Sequence, residues 1–154
     1  MLRDRFTAEM KEAMKAGEKA RLGAIRLIQA ALKDKDIEAR GAGKGPLSDE
    51  EILALLQKMV KQRQESIAMY EQGGRTELAQ QEKDEVAVIT SYLPQQMDEA
   101  ETRTAIEAAI AETGAASMKD MGKVVGILRA KYAGRMDFAK ASGLVKDMLP
   151  NVSR

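Results

Sequence analysis

The sequence predicts an all-α protein, and three observations support this fold class. Alanine, leucine, methionine, glutamate and lysine are abundant among the 154 residues, and each of them favours helices. Apolar residues recur every three or four positions over long stretches, whereas no stretch alternates apolar and polar residues as a half-buried strand does. Only five residues are aromatic. We therefore expect helices packed around aliphatic cores, with no sheet.

The first two helices are predicted from stripes of apolar residues at helical spacing. The first helix should end at Gly17, and the second should cover about residues 19–38. The stripes consist of Leu2, Phe6, Met10 and Met14 in the first helix and of Leu22, Ile25, Ile28 and Leu32 in the second. The sequence GAGKGP at 41–46 then predicts a flexible loop, because a Walker phosphate loop needs a preceding strand and a Ser or Thr after its lysine.

A capping box opens the third helix, because Ser48 is followed three residues later by Glu51. This helix should run to about Gln72, before two glycines, and a fourth should run from about 76 to 92. The residues predicted to face inward are Ile52, Leu55, Leu56, Met59, Val60, Ile67 and Tyr70 on the third helix and Leu78, Val86 and Ile89 on the fourth.

Pro94 is the predicted boundary between an N-terminal helical domain of about four helices, residues 1–94, and a small three-helix domain, residues 95–154. In the second domain Asp98 and Glu101 form another capping box, and the helix that they open should end at a glycine. We call residues 95–154 the tail.

Two further helices are predicted in the tail. Ser117 is a good N-cap, with Asp120 three residues on, and it should open a helix over about 118–133. The last helix should cover about 138–149. Core packing is the expected role of most methionines on these and earlier helices. They include Met10, Met14, Met59, Met118, Met121 and Met148.

The charge of the chain is balanced overall but uneven within the tail. The whole sequence has 25 basic and 24 acidic residues, so its net charge indicates neither a nucleic-acid nor a membrane partner. Residues 95–114, however, have one basic and five acidic residues, whereas residues 115–154 have eight basic and three acidic residues. The chain therefore has a basic C-terminal end.

Two glycines interrupt the second tail helix, and each costs about 1 kcal/mol relative to alanine at such a position. Gly122 and Gly126 are four residues apart, so they lie on one face, and Lys119, Lys123 and Arg129 border them. At 100° per residue this face lies about 120° from the apolar arc of the helix. That arc consists of Met121, Val124, Val125, Leu128 and Tyr132.

We call the surface formed by Gly122 and Gly126 with the bordering Lys119, Lys123 and Arg129 the glycine strip. Two kinds of neighbour would explain glycine there. A second helix could pack closely on the bare face. Alternatively, a phosphodiester backbone could approach it, because such a backbone needs both close approach and positive charge.

The residue types present argue against several kinds of site. The sequence has no cysteine and no histidine, so it lacks a thiolate nucleophile, a zinc–sulfur site and the commonest general base. The acidic runs at 49–51 and 98–101 are explained as helix caps. We expect no catalytic residue, no metal and no cofactor.

Nothing in the sequence indicates a membrane partner, because no segment approaches 18 consecutive apolar residues. The first residues alternate in charge and lack the apolar core of a signal peptide. A cytoplasmic location is therefore the default expectation.

Several long strings make the chain resemble the YqeY family, also called GatB/YqeY domain proteins, over nearly its full length. In the N-terminal part the resemblance rests on MKEAMKAGEKARLGAIRLIQAALKDKDIEARG, MVKQRQESIAMYEQGGRTELAQQEKDE and SYLPQQMDEAE. In the tail it rests on DMGKVVGILRAKYAGRMDFAKASGLVKDML.

The resemblance implies an all-helical protein whose tail is similar to the three-helix domain that ends the GatB subunit of the glutamine-dependent aspartyl/glutamyl-tRNA amidotransferase. In that enzyme the tail grips the tRNA at its elbow, while the chemistry takes place elsewhere. Family members are therefore often associated with a carbon–nitrogen ligase activity that uses glutamine as amide donor. The catalytic parts of that enzyme are not recognisable in this sequence, so the resemblance implies binding rather than catalysis.

Three functions stay open at this point. The first is a non-catalytic adaptor that binds tRNA, the second an accessory factor of the tRNA amidotransferase or another translation-related protein, and the third a protein-interaction module without RNA. Neither a membrane partner nor a particular oligomeric state is indicated. The residues expected to contact RNA are Lys119, Gly122, Lys123, Gly126, Arg129, Lys131, Arg135 and Lys140.

The purified protein should not release ammonia from glutamine. Glutamine hydrolysis by covalent catalysis needs an activated nucleophile, and the sequence has neither cysteine nor histidine and no recognisable replacement. A coupled ammonia assay, with a known glutaminase as positive control, checks this expectation. Sustained ammonia release by protein free of contaminating enzyme would contradict it.

Overall fold

A computed structural model describes residues 1–115 and 117–149 of the chain, and it confirms the all-α fold. No strand occurs among these residues. The seven helices are α1 (Leu2–Ala16), α2 (Lys19–Gly41), α3 (Asp49–Gln72), α4 (Thr76–Thr90), α5 (Glu99–Thr113), α6 (Met121–Tyr132) and α7 (Phe138–Met148). A short 3-10 turn, Met118–Asp120, leads into α6. Within the described ranges, no helix combines the length and the hydropathy needed to cross a bilayer.

The chain divides into two compact units, Met1–Pro94 and Gln95–Arg154. The first contains α1 to α4 and the second, the tail, contains α5 to α7. Each has its own apolar core. That the two units are independently folding domains stays a prediction.

The core of the first unit is built from aliphatic side chains of all four helices. The fully buried large residues are Phe6, Ile25, Ile28, Ile52, Leu56 and Ile89. Tyr92, which follows α4, packs its ring edge-on against Phe6 with 4.9 Å between ring centroids. Its hydroxyl donates a hydrogen bond to Glu9 Oε1 at 3.2 Å, and burial raises the pKa of Tyr92 to about 12. The phenol is therefore a hydrogen-bond donor at neutral pH.

Most helices begin and end close to the residues that the local sequence predicts. Both capping boxes form, Ser48 with Glu51 before α3 and Asp98 with Glu101 before α5. Gly17 ends α1 in the left-handed region with φ 70°. The differences are small elsewhere, since α2 continues to Gly41 rather than 38 and α4 stops at Thr90 rather than 92.

Two inward predictions in the first unit are wrong. Met14 is 51% exposed, because Ala13 takes the core position instead. At 100° per residue Ala13 lies about 20° from Leu2 around α1, whereas Met14 lies about 120° away. Leu78 is 38% exposed, because the first turn of α4 pairs with the end of α3, and all the buried residues of α3 lie in its first half.

The tail packs three helices around a second aliphatic core. Its fully buried large residues are Ile106 of α5, Val124 and Leu128 of α6, Val145 of α7 and Met136 between α6 and α7. The helix predicted from residue 118 begins as the 3-10 turn, and Ser117 Oγ accepts a hydrogen bond from the Lys119 N–H. Met118 is 46% exposed, so its predicted core role is wrong.

An ionic clamp joins α1, α2 and the loop before α3. The Arg3 guanidinium donates two hydrogen bonds of 2.8 Å to the Asp36 carboxylate, and a third of 3.0 Å to the Leu47 carbonyl. Asp36 Oδ1 also accepts from the Leu47 N–H at 3.0 Å. The hydrogen bonds from Arg3 and Leu47 lower the pKa of Asp36 from 3.8 to about 2. The clamp fixes the loop against both helices.

Replacing Asp36 by Asn should lower the free energy of unfolding by about 1–2 kcal/mol at pH 7. The amide can still accept from Leu47, but it loses the charged fork with Arg3. Because the pKa of Asp36 is lower in the folded state, its stabilisation is present above pH 3.8 and is lost as the pH falls toward 2.

Urea unfolding at pH 7, 5 and 2.5 measures this difference between the variant and the wild type. It should be smallest at pH 2.5. Asp34→Asn is the matched control, because Asp34 is exposed on the same helix and forms no ion pair with the other described residues. A difference that does not change with pH would contradict the clamp as an electrostatic feature.

Candidate nucleic-acid interface

The buried side of α6 determines where the glycine strip lies. Val124 and Leu128 are fully buried in the tail core, with Met121, Val125 and Tyr132 partly buried beside them. Gly122 and Gly126 are exposed. The glycines therefore lie on the side of α6 that faces away from the core, as the helical geometry predicts.

No described part of the tail covers Gly122 or Gly126. A Cβ atom built at Gly122 or at Gly126 would meet no neighbouring atom within 4 Å. The interpretation that these glycines admit another helix of the tail is therefore wrong for the described residues. Their cost in helix propensity is not recovered by packing inside the tail.

The two lysines of the glycine strip are exposed, and their charges are not neutralised by an ion pair with another described residue. Lys119 lies in the 3-10 turn, three residues before Gly122, and Lys123 lies in the first turn of α6. Neither forms an ion pair with another described residue. Two ammonium groups therefore border the bare surface at the start of α6.

Arg129 borders the glycine strip at its other end. Its guanidinium carbon lies 5.4 Å from the centroid of the Phe138 ring, at the start of α7. This is the distance at which a cation is attracted to an aromatic face. No pattern within α6 could indicate Phe138 as a partner of Arg129, because eight residues, including the turn between α6 and α7, lie between the two.

The structure does not bring the other three predicted residues to this surface. Lys131 turns toward α5, where its ammonium pairs with Glu112 at 3.1 Å. Lys140 follows Phe138 by two residues and so lies about 160° away from it around α7. Their contact with RNA stays a prediction, separate from the glycine strip.

Arg135 connects the start of the tail to the turn between α6 and α7. Its Nε donates to the Gln95 carbonyl at 3.1 Å, and its guanidinium lies 5.8 Å from the Tyr132 ring centroid. The Met97 N–H donates to the Arg135 carbonyl at 2.9 Å, and Gln96 Nε2 donates to the Gly134 carbonyl at 2.6 Å. This arrangement holds the segment after Pro94, and no sequence motif indicated it.

The described residues contain no group of three or more acidic side chains placed to hold a metal ion. A model of Yqey-like proteins matches residues 3–149, which is nearly the whole chain. The chain belongs to the YqeY family.

The chain is similar to several proteins called altered inheritance of mitochondria protein 41, mitochondrial. The protein of Lachancea thermotolerans is 31% identical over 87 residues, which cover 56% of this chain and 45% of the relative. Those of Eremothecium gossypii and Candida glabrata are each 33% identical over 85 residues, which cover 55% of this chain and 45% and 46% of the relatives. The match thus spans less than half of each relative.

These names contradict the expectation of a cytoplasmic location, because the relatives are named as mitochondrial proteins. The expectation rested on the missing apolar core of a secretory signal peptide. That observation does not bear on mitochondrial targeting, because transit peptides are amphipathic and rich in arginine and serine instead.

Replacing Gly126 by Leu should not destabilise the protein. The new side chain would enter open space, and the helix would gain close to 1 kcal/mol of propensity. The midpoint of thermal unfolding should therefore stay the same or rise by about 2–4 °C. Gly23→Leu is the matched control, because Gly23 is an exposed glycine inside α2 with equally open surroundings. A fall of several degrees for Gly126→Leu alone would show that the strip is covered.

Proposed function

We propose that this YqeY-family protein is a non-catalytic helical adaptor that binds tRNA through its tail. The glycine strip is the contact surface, and the sugar–phosphate backbone is what it contacts. One observation carries the proposal. The exposed face of α6 has no side chain at Gly122 and Gly126, no described part of the tail covers it, and cations without ion pairs border it.

A phosphate backbone matches both properties of this surface. Phosphate groups attract lysine and arginine, and binding releases the counterions that the nucleic acid held. A contact between backbones also requires close approach, which glycine permits and larger side chains prevent. Base edges need hydrogen-bonding side chains for readout, and the strip presents none apart from its cations. The proposed contact is therefore with the shape and charge of the RNA.

The distribution of charge in the tail favours one direction of approach. The exposed side chains of α5 include Glu99, Glu101, Glu107 and Glu112, whereas the segment from the 3-10 turn through α7 is mainly basic. A polyanion is repelled by the first surface and attracted by the second. The neutral charge of the whole chain conceals this polarity.

The resemblance of the tail to the end of the GatB subunit supports tRNA as the RNA class. It also leaves association with a tRNA amidotransferase, or with another translation-related protein, as a second role that the same tail could serve. A transamidation assay with and without this protein tests that association. An increase in amide transfer would indicate an accessory factor.

The direct test of the proposed function is the salt dependence of tRNA binding. Fluorescence anisotropy with labelled tRNA at 50–300 mM salt gives the slope of log affinity against log salt concentration. The triple variant Lys119→Ala, Lys123→Ala, Arg129→Ala should bind more weakly, and its slope should be flatter by about 1 for each lost phosphate contact.

A matched triple variant controls for the loss of charge alone. Lys11, Arg26 and Lys33 are exposed residues of the first unit that form no ion pair with described residues, and their replacement by Ala removes the same charges. This control should keep the wild-type affinity. Equal binding by both triple variants would overturn the glycine strip as the contact surface. Absence of tRNA binding by the wild-type protein would favour a protein-interaction module.

A further inference from the structure

Three arginines in the described residues lie over aromatic rings, and their donors are used differently. Arg5 lies 4.8 Å from the Tyr92 ring centroid and pairs with Glu9 at 3.2 Å. Arg135 lies over Tyr132 and donates to the Gln95 carbonyl. Arg129 lies over Phe138 but makes no hydrogen bond or ion pair with any described residue. Its N–H donors are therefore available to a ligand.

The ring of Phe138 is held by the core of the tail. Phe138 is the first residue of α7, is only partly exposed, and packs against the buried cluster that includes Val124 and Leu128. Because the ring is fixed in this way, it can hold the Arg129 guanidinium in a defined position. A guanidinium attracted to a ring at this distance can still donate N–H hydrogen bonds to a ligand.

The position of Arg129 on α6 puts its backbone beside the two glycines. Arg129 follows Gly126 by three residues and Gly122 by seven, so all three lie on one side of α6. A phosphate group above the bare glycines would reach the N–H donors of a guanidinium held over Phe138. Arginine can bind phosphate with two parallel hydrogen bonds, whereas lysine acts as a point charge.

We propose that Arg129 makes a bidentate contact with a phosphate group of bound RNA and that Phe138 is the positioning residue that holds the guanidinium for it. This inference rests on the proposed function, because it names the geometry of one contact within that surface. It separates Arg129 from Lys119 and Lys123, which supply charge without a fixed orientation.

Two single substitutions separate orientation from charge. Arg129→Lys keeps the charge but loses the fork, so affinity for labelled tRNA should fall about fivefold while the salt slope stays nearly unchanged. Phe138→Leu keeps an apolar side chain for the core but removes the aromatic face, and affinity should fall about threefold. Phe138→Tyr, which keeps the ring, should retain the wild-type affinity. Thermal unfolding of each variant shows that the tail remains folded.

A double-mutant cycle tests whether Phe138 acts through Arg129. Phe138→Leu should have no further effect on tRNA affinity when Arg129 is already Ala. Tyr132→Leu is the matched control, because its arginine partner is bound to Gln95, and its effect should add to that of Arg129→Ala.

Each contrary result identifies which claim fails. The positioning role of Phe138 would be overturned if the effects of Phe138→Leu and Arg129→Ala on tRNA affinity were additive, or if Phe138→Leu kept the wild-type affinity. The proposed function would still stand if Lys119→Ala and Lys123→Ala weakened tRNA binding. Absence of tRNA binding by the wild-type protein would overturn the proposed function itself.

Discussion

The burial of Val124 and Leu128 is the constraint on which the tail depends. Both side chains of α6 are fully enclosed in the tail core, and this fixes the rotation of the helix about its axis. Gly122 and Gly126 must then face outward, because they lie on the opposite side of the same helix. The position of the glycine strip thus follows from core packing, while its lack of side chains is not needed for that packing. The proposed ligand, which would approach the backbone closely, would give the glycines a reason to be there.

Features set by neighbouring residues could be predicted from the sequence. The capping boxes at Ser48 and Asp98 and the glycine at the end of α1 act within one helical turn, so local sequence determines them. The rotation of α6 could also be predicted, because its apolar arc is long enough to define an inward side. Met14 failed because Ala13 takes the core position of α1, whereas Leu78 failed for a tertiary reason, since the buried residues of α3 end before its last turns.

The candidate site was predictable as a surface but not as a set of contacts. Helical geometry brought Gly122, Gly126 and Arg129 to one face, and the structure leaves that face open. The contacts of the cationic side chains depend on how the three helices of the tail pack together. These contacts are the ion pair of Lys131 with Glu112, the hydrogen bond of Arg135 to Gln95 and the cation–π contact of Arg129 with Phe138. The spacing of residues within a single helix does not reveal contacts between helices. The sequence therefore predicted RNA contact for all eight residues, whereas the structure places only five of them in the glycine strip.

The most direct measurement of the central claim is acetylation footprinting of lysines by mass spectrometry, with and without tRNA. Binding at the glycine strip should slow the acetylation of Lys119 and Lys123. Lys11 and Lys33 on the first unit should react at unchanged rates. Protection of the lysines of Met1–Pro94, with Lys119 and Lys123 unaffected, would contradict the account and place the RNA on the first unit.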